Sequence, residues 1–388
     1  MLNYRFSLYV LLLSRISRSI AAGMLAIAFP YLVLNNLHHS AFYLGSIFAI
    51  ATLFTGFFSL MFGIITDVWG RKNTLILATL MLPVASFLLW FSNSNIILFL
   101  SAILGGFSAT GSLAGGGIGG TVQPIQNTIL ADLVPSEKRT YYYSTFAFLN
   151  GVAAAVGTTF IKFMNEKEVF FVAGIISLVG TIIIFFMTTP DIKGKFRKLG
   201  SKIVIGKFTL TGFLNGVSQG LITPFLIPFF IIVYKLPETT MSSFTFISGM
   251  IAACSLLIAP YLDKRFGFVK SIVYSRAVSI VLLIIFPVIR FLPLALFIYF
   301  VTPALRVMAV PIQQTAITSL VEENERGRAL GINQVVRLGG SSIATEISGS
   351  FFSTSYLAIP FYLYALVMGA NIYLYKIFFS KEEKQKTL

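Results

Sequence analysis

Arginine stands in this chain where a charge is least expected. Arg15, Arg18, Arg276, Arg306 and Arg337 all fall inside long apolar runs, and one carboxylate, Glu346, falls inside another. A guanidinium keeps its charge and offers bidentate hydrogen bonds to carboxylate or phosphate. Buried in hydrocarbon, such a group must face protein or a wet cavity rather than lipid. Arg15 and Arg18, at i and i+3, share one helix face, and Arg306 shares another with Gln313 at i and i+7. Arg276 lies close to Lys270 and is expected to snorkel to the surface. Glu346 is half a turn round from Arg337 and too far along the same helix to pair with it directly. Four arginines against one carboxylate leave an excess of positive charge. Two readings stay open for them: binding an anion, or ion pairing, backbone-carbonyl contacts and gating. The candidate substrate-binding residues are Arg15, Arg18, Gln123, Gln126, Asn215, Gln219, Arg306, Gln313 and Arg337. Glu346, whose charge responds to burial and to a nearby guanidinium, is the candidate proton-coupling group.

Other chemistries lack their parts. Gly216-Val217-Ser218-Gln219-Gly220 has the spacing of a serine-hydrolase elbow, but the chain's histidines, His38 and His39, sit together far from it. Gly115, Gly117 and Gly120 fit a dinucleotide fingerprint, yet no strand precedes them. No paired metal ligands or phosphate-binding Gly-Lys-Ser/Thr loop occur, and the single cysteine, Cys254, is expected to be a packing residue. The sequence therefore predicts no enzyme, no cofactor and no metal site.

The elements that must position these residues are membrane helices. The chain has 388 residues, 56% hydrophobic and 11% charged, against about 25% charged in a soluble domain. A net charge of +15 does not mark a nucleic-acid binder, because the basic residues lie in short loops rather than on one soluble face. Apolar runs long enough to span a bilayer fall at 6–34, 42–65, 74–91, 96–131, 141–163 and 169–189, then at 208–234, 241–261, 271–289, 293–320, 329–353 and 356–379. The first is too long for a signal-peptide core and is read as a retained helix. The expected fold is all-α, twelve transmembrane helices in two pseudo-symmetric halves, 1–190 and 208–388, joined by a basic linker at 191–207. Most of the 29 Lys and Arg residues lie on the linker's side, and only Lys162, Lys167, Lys235 and Arg290 lie in the opposite loops. Both termini and the linker are thus expected in the cytoplasm.

The halves repeat. Pro124-Ile125-Gln126-Asn127-Thr128 recurs as Pro311-Ile312-Gln313-Gln314-Thr315, and Leu133, Val134 and Arg139 recur at the same offset as Leu320, Val321 and Arg326. Asp67 recurs as Asp263 at a larger offset, so the first half carries an insertion between Asp67 and Pro124. The glycine-rich stretch Gly111 to Gly120 fits that surplus. It unwinds the fourth span near mid-membrane, or it permits close helix packing through small-x-x-x-small spacing.

Between the second and third spans stands Gly63-Ile64-Ile65-Thr66-Asp67-Val68-Trp69-Gly70-Arg71-Lys72. Its Gly-x-x-x-Asp-x-x-Gly-Arg-Lys pattern resembles the signature of the major facilitator superfamily, and Asp132-Leu133-Val134-Pro135-Ser136-Glu137-Lys138-Arg139 is similar to that family's turn after helix 4. The resemblance covers nearly the whole chain. It implies a secondary transporter working by alternating access, with helices 1, 4, 7 and 10 lining the cavity. It also implies a cytoplasmic latch, carried onto Gly63, Asp67, Gly70, Arg71, Lys72, Asp132 and Arg139. The family's proton-linked drug exporters carry Gly-Pro in helix 5, whereas Asn150 to Thr159 here lacks the proline. The expected function is transport of a small solute across the cytoplasmic membrane, an anionic one weighed ahead of a drug-like one, coupled to an ion gradient, by a monomer in the lipid bilayer. A proton-coupled multidrug exporter is the alternative, and a non-transporting receptor on the same fold is a minor one.

Overall fold

The computed structural model describes residues 4–105, 121–134, 139–188, 200–321 and 326–386, and every regular element among them is a helix. The N-terminal half holds α1 (Tyr4–Tyr31), α2 (Ala41–Trp69), α3 (Arg71–Phe91), α4 (Asn95–Gly105), α5 (Gln123–Leu133), α6 (Arg139–Thr159) and α7 (Glu166–Ile184). The C-terminal half holds α8 (Lys202–Ile222), α9 (Leu226–Tyr234), α10 (Glu238–Phe266), α11 (Phe268–Ile285), α12 (Leu292–Leu320), α13 (Arg326–Ser353) and α14 (Ile359–Lys386). Among the described residues, 10 stretches are long and apolar enough to cross a membrane. The two remaining spans are the fourth, described as α4 and α5, and α13, which carries Arg337 and Glu346. Gly111 to Gly120 lie outside the described residues.

Several boundaries differ from the sequence reading. The seventh span starts at Lys202, inside the expected linker. It is then divided into α8 and α9 by a 3-10 turn, Thr223–Phe225, because Pro224 lacks an N–H and its ring clashes with the preceding turn. The last helix runs on to Lys386 through Lys381-Glu382-Glu383-Lys384, residues of good helix propensity.

Glycine sets the closest approaches. Gly70 alone separates α2 from α3 at φ 79°, and Gly267 alone separates α10 from α11 at φ 78°. An L-side chain is strained in that region. The second copy of the signature has lost its Arg-Lys pair but keeps this turn. Within the C half, a Cβ on Gly216 would stand 1.9 Å from the Arg337 carbonyl oxygen, and one on Gly220 2.1 Å from that of Ser341. The elbow-like spacing of these glycines is therefore the contact surface of α8 on α13. In the N half, Gly23 and Gly157 do the same between α1 and α6.

The halves meet along α2 with α13 and α6 with α10. Ser342 Oγ donates to the Ala49 carbonyl at 2.6 Å, Ser242 Oγ donates to the Thr158 carbonyl, and Gly45 faces Gly349 backbone to backbone. At the end away from the termini one apolar core draws on both halves, with Phe29, Leu44, Phe225, Tyr299 and Phe352 among its members. At the other end the cores separate, one around Leu11, Phe62 and Ile129, the other around Phe208, Ile317 and Phe379. The molecule is joined at one end and parted at the other. Cys254 sits on the exposed face of α10 rather than in packing.

Candidate functional site

The C half gathers the densest polar cluster. Arg337, from the middle of α13, donates through Nη1 to Gln219 Oε1 at 3.0 Å and through Nη2 to Gln334 Oε1 at 2.7 Å. Gln219 in turn donates to Asn215 Oδ1 at 3.5 Å, one turn earlier on α8. Arg306 of α12 lies near Arg337 and near the Tyr364 hydroxyl on α14. The Nε of Arg306 is buried and bonds to nothing among the described residues, and so is the Oγ of Ser341, one turn along α13 from Arg337. Two half-buried guanidiniums thus lie near each other, and among the described residues the acceptors of Arg337 are neutral amide oxygens. Neutral oxygens satisfy hydrogen-bond geometry but leave the charge uncancelled.

Arg276 does not snorkel. It is buried beneath α12 and α14, donating to Asn371 Oδ1 and, at 3.3 Å, to Gln313 Oε1, with its guanidinium 4.6 Å from the centre of the Tyr375 ring. Asn371 passes the chain on to the Thr211 carbonyl at 2.6 Å. Gln313 therefore serves Arg276, and among the described residues no hydrogen bond joins it to Arg306.

In the N half Arg15 and Arg18 diverge. Arg15 donates to Asn127 Oδ1 at 3.2 Å and lies 5.4 Å from the centre of the Phe146 ring. Tyr143 Oη holds the Asn127 carbonyl at 2.9 Å. Arg18 reaches the Thr79 carbonyl of α3 at 3.4 Å, so the structure does not bring it to Arg306. Gln123 opens α5, and Gln126 is buried on it with an amide nitrogen lacking an acceptor. Asn127, Gln334, Tyr364 and Asn371 are the residues the sequence reading passed over. Asn127 was visible in the repeat, opposite Gln314, and Asn371 as an amide within the last apolar run.

Glu346 stands apart from every arginine cluster, on the seam between halves, where it accepts from Ser46 Oγ at 2.8 Å. Of the residues expected to form a latch, Gly70 forms the turn, Arg71 opens α3, and Lys72 Nζ donates to the Phe185 carbonyl at the end of α7 at 2.7 Å. Gly63 and Asp67 lie near the end of α2, Asp132 near the end of α5 and Arg139 at the start of α6. The side chains of Asp67, Asp132 and Arg139 lie outside the described residues.

A bundle of two pseudo-repeated halves, joined at one end by a shared apolar core and carrying arginines within its helices, has the form of a membrane transporter. The family model for the Major Facilitator Superfamily matches residues 11–345, and the chain belongs to that superfamily: it is a multi-pass membrane protein and a secondary transporter, not an enzyme. It is similar to the multidrug resistance protein MdtG of Proteus mirabilis, 26% identical over 361 residues, with 84% of this chain and 83% of that protein covered. MdtG of a Rahnella species is 28% identical over 355 residues, with coverage of 84% and 81%. Among solved structures, a D-xylose-proton symporter superposes at a TM-score of 0.75 and 14% identity, covering 96% of this chain and 98% of its own.

Proposed function

We propose that this protein exports amphipathic organic molecules from the cytoplasm, driven by a proton gradient, and that it favours those carrying an anionic group. The export direction and the drug-like class are supported by the relatives named for multidrug resistance. With the termini cytoplasmic by the distribution of Lys and Arg, the parted end faces the cytoplasm. This is the state in which an exporter loads. The anionic preference is carried by one observation: Arg306 and Arg337 stand near each other, half-buried, without a carboxylate partner among the described residues. Such a site is completed by a ligand bringing its own negative charge. Gln126, Asn215 and Gln219 supply further polar contacts, Arg15 and Arg18 a positive N-half wall, and Glu346 takes part in proton coupling across the seam. The signature residues act as the cytoplasmic latch.

Export of a panel of anionic and cationic dyes from sealed inverted vesicles tests this. Arg306→Lys and Arg337→Lys keep the charge but lose the planar fork. Each is expected to weaken the apparent affinity for anionic dyes by about tenfold, roughly 1.4 kcal/mol, and to leave cationic dyes unchanged. Equal effects on both dye classes would remove the anionic preference, leaving a general drug exporter. Binding without movement of any dye would instead make the protein a receptor on a transporter fold.

A further inference from the structure

We propose that Glu166 and Glu238 form a proton-operated seal between the two halves at the end away from the termini, closing when the pair holds a proton and parting when both carboxylates are ionised. The proposal rests on the reading of proton-driven transport and makes closure at this end respond to the pH of the outer solution.

Glu166 opens α7 in one half and Glu238 opens α10 in the other. Both reach the far end of the first span. Asn36, in the π-helical turn after α1, donates to Glu166 Oε2 at 2.6 Å. Tyr31, just before that turn, donates across the seam to the Leu236 carbonyl at 2.9 Å, beside Glu238. The charge of Glu166 acts on Glu238, and that of Glu238 acts on Tyr31. In this closed seam the Oε1 of Glu238 is buried and has no hydrogen-bond partner among the described residues. An ionised carboxylate is poorly served there, whereas a protonated one is not.

The surrounding charges do not cancel the pair. Lys162, Lys167, Lys235 and Arg290 are exposed, where water and salt screen them, and among the described residues none forms a salt bridge with either glutamate. Arg290 acts on Tyr234. Glu168 is committed to capping the Asn165 backbone at 2.9 Å. His38 and His39 lie in the connection after α1, His39 stacked on Tyr43 at 4.1 Å. Tyr299 is tied to Thr245 at 3.1 Å.

Closing the seam brings two like charges together in a partly dry place, and separating the halves relieves them. A proton taken from the outer solution removes the repulsion, so it shifts the population toward the form closed outside and open to the cytoplasm. Proton uptake thereby favours the loading state, and the proton leaves to the outer solution when the seam reopens, so the pair makes closure respond to outer pH without itself carrying a proton across.

The test measures the seam itself rather than transport. In a Cys254→Ser background, spin labels at Phe163→Cys and Tyr356→Cys, 80% and 64% exposed on opposite halves at this end, report the distance across it by pulsed electron resonance in nanodiscs. The expected wild-type distribution moves to longer distances between about pH 5 and about pH 8, the range over which a pair of coupled carboxylates ionises. Glu238→Gln and Glu166→Gln should hold the short distance at both pH values, and Glu238→Asp should restore the response. A wild-type distance unmoved by pH, or a Glu238→Gln protein that still opens, overturns the proposal. A response abolished by Glu346→Gln alone also overturns it and moves the switch to the Ser46–Glu346 contact. Absence of dye export in a protein whose seam responds would count against the proposed function and leave the seal standing.

Discussion

At the scale of single residues, three of the five intramembrane arginines are held by side-chain amides. Arg15 has Asn127, Arg276 has Asn371 and Gln313, and Arg337 has Gln219 and Gln334. Amide oxygens fix a guanidinium in place while leaving its field intact, so geometry and charge are controlled separately. Arg276, stacked on Tyr375 and closed in by three helices, has the character of a clamp. Arg276→Met should strip two amides of their donor and lower stability by about 1–3 kcal/mol, read as a lower midpoint in thermal unfolding of the purified protein. Dye affinity of the folded fraction should persist. Arg276→Lys should fall between, having charge without the stacked plane. The sequence shows that Arg276 is ionisable and near a cytoplasmic loop, but not which way it points, because the partners that decide the matter come from α12 and α14. Glu346 was legible as a membrane carboxylate, while its neighbour Ser46 belongs to the opposite half.

At the scale of helices, length and apolarity identify the spans and proline and glycine modify them. Pro224 breaks the seventh span where its chemistry requires, and the paired glycines of α8 admit α13 to backbone contact. Gly216→Val should force α13 outward and take Arg337 with it, costing more than about 3 kcal/mol by overpacking, seen as loss of the monodisperse peak in fluorescence-detected size exclusion. Gly369→Ala is the comparison. Nothing lies within 4 Å of a Cβ placed there, so the substitution should be neutral or stabilise by about 0.5–1 kcal/mol through helix propensity. The small-x-x-x-small pattern was readable at several places in the chain. Only the structure distinguishes the glycines that touch a neighbour from Gly206, Gly331 and Gly369, which face open space.

At the scale of the whole molecule, the repeat in the sequence becomes two bodies that meet along two helix pairs. The fold class was legible because the signature loop, the Pro-Ile-Gln repeat and the charge asymmetry all reported the same architecture. Which end is shut was not legible, since it depends on which apolar residues of one half meet those of the other. The latch proposed for the signature residues would act in the opposite state. Arg71→Ala and Asp67→Asn should favour the form parted at the cytoplasmic end and slow export roughly 5- to 30-fold, the effect of about 1–2 kcal/mol on a two-state balance, while equilibrium dye binding stays measurable. Wild-type export rates in both variants would separate the signature from the switch.

The joined core at one end and the two separate cores at the other also make the protein a wedge in the bilayer. Under alternating access, exchanging the joined end for the parted one would shift the parted, wider end of the molecule from one leaflet to the other. The cycle therefore does work against lateral pressure, which differs between leaflets and with the shape of their lipids. Small-headgroup lipids in the cytoplasmic leaflet and large-headgroup lipids there load this wedge differently, so membrane composition acts on the transport rate with no lipid bound to the protein at all.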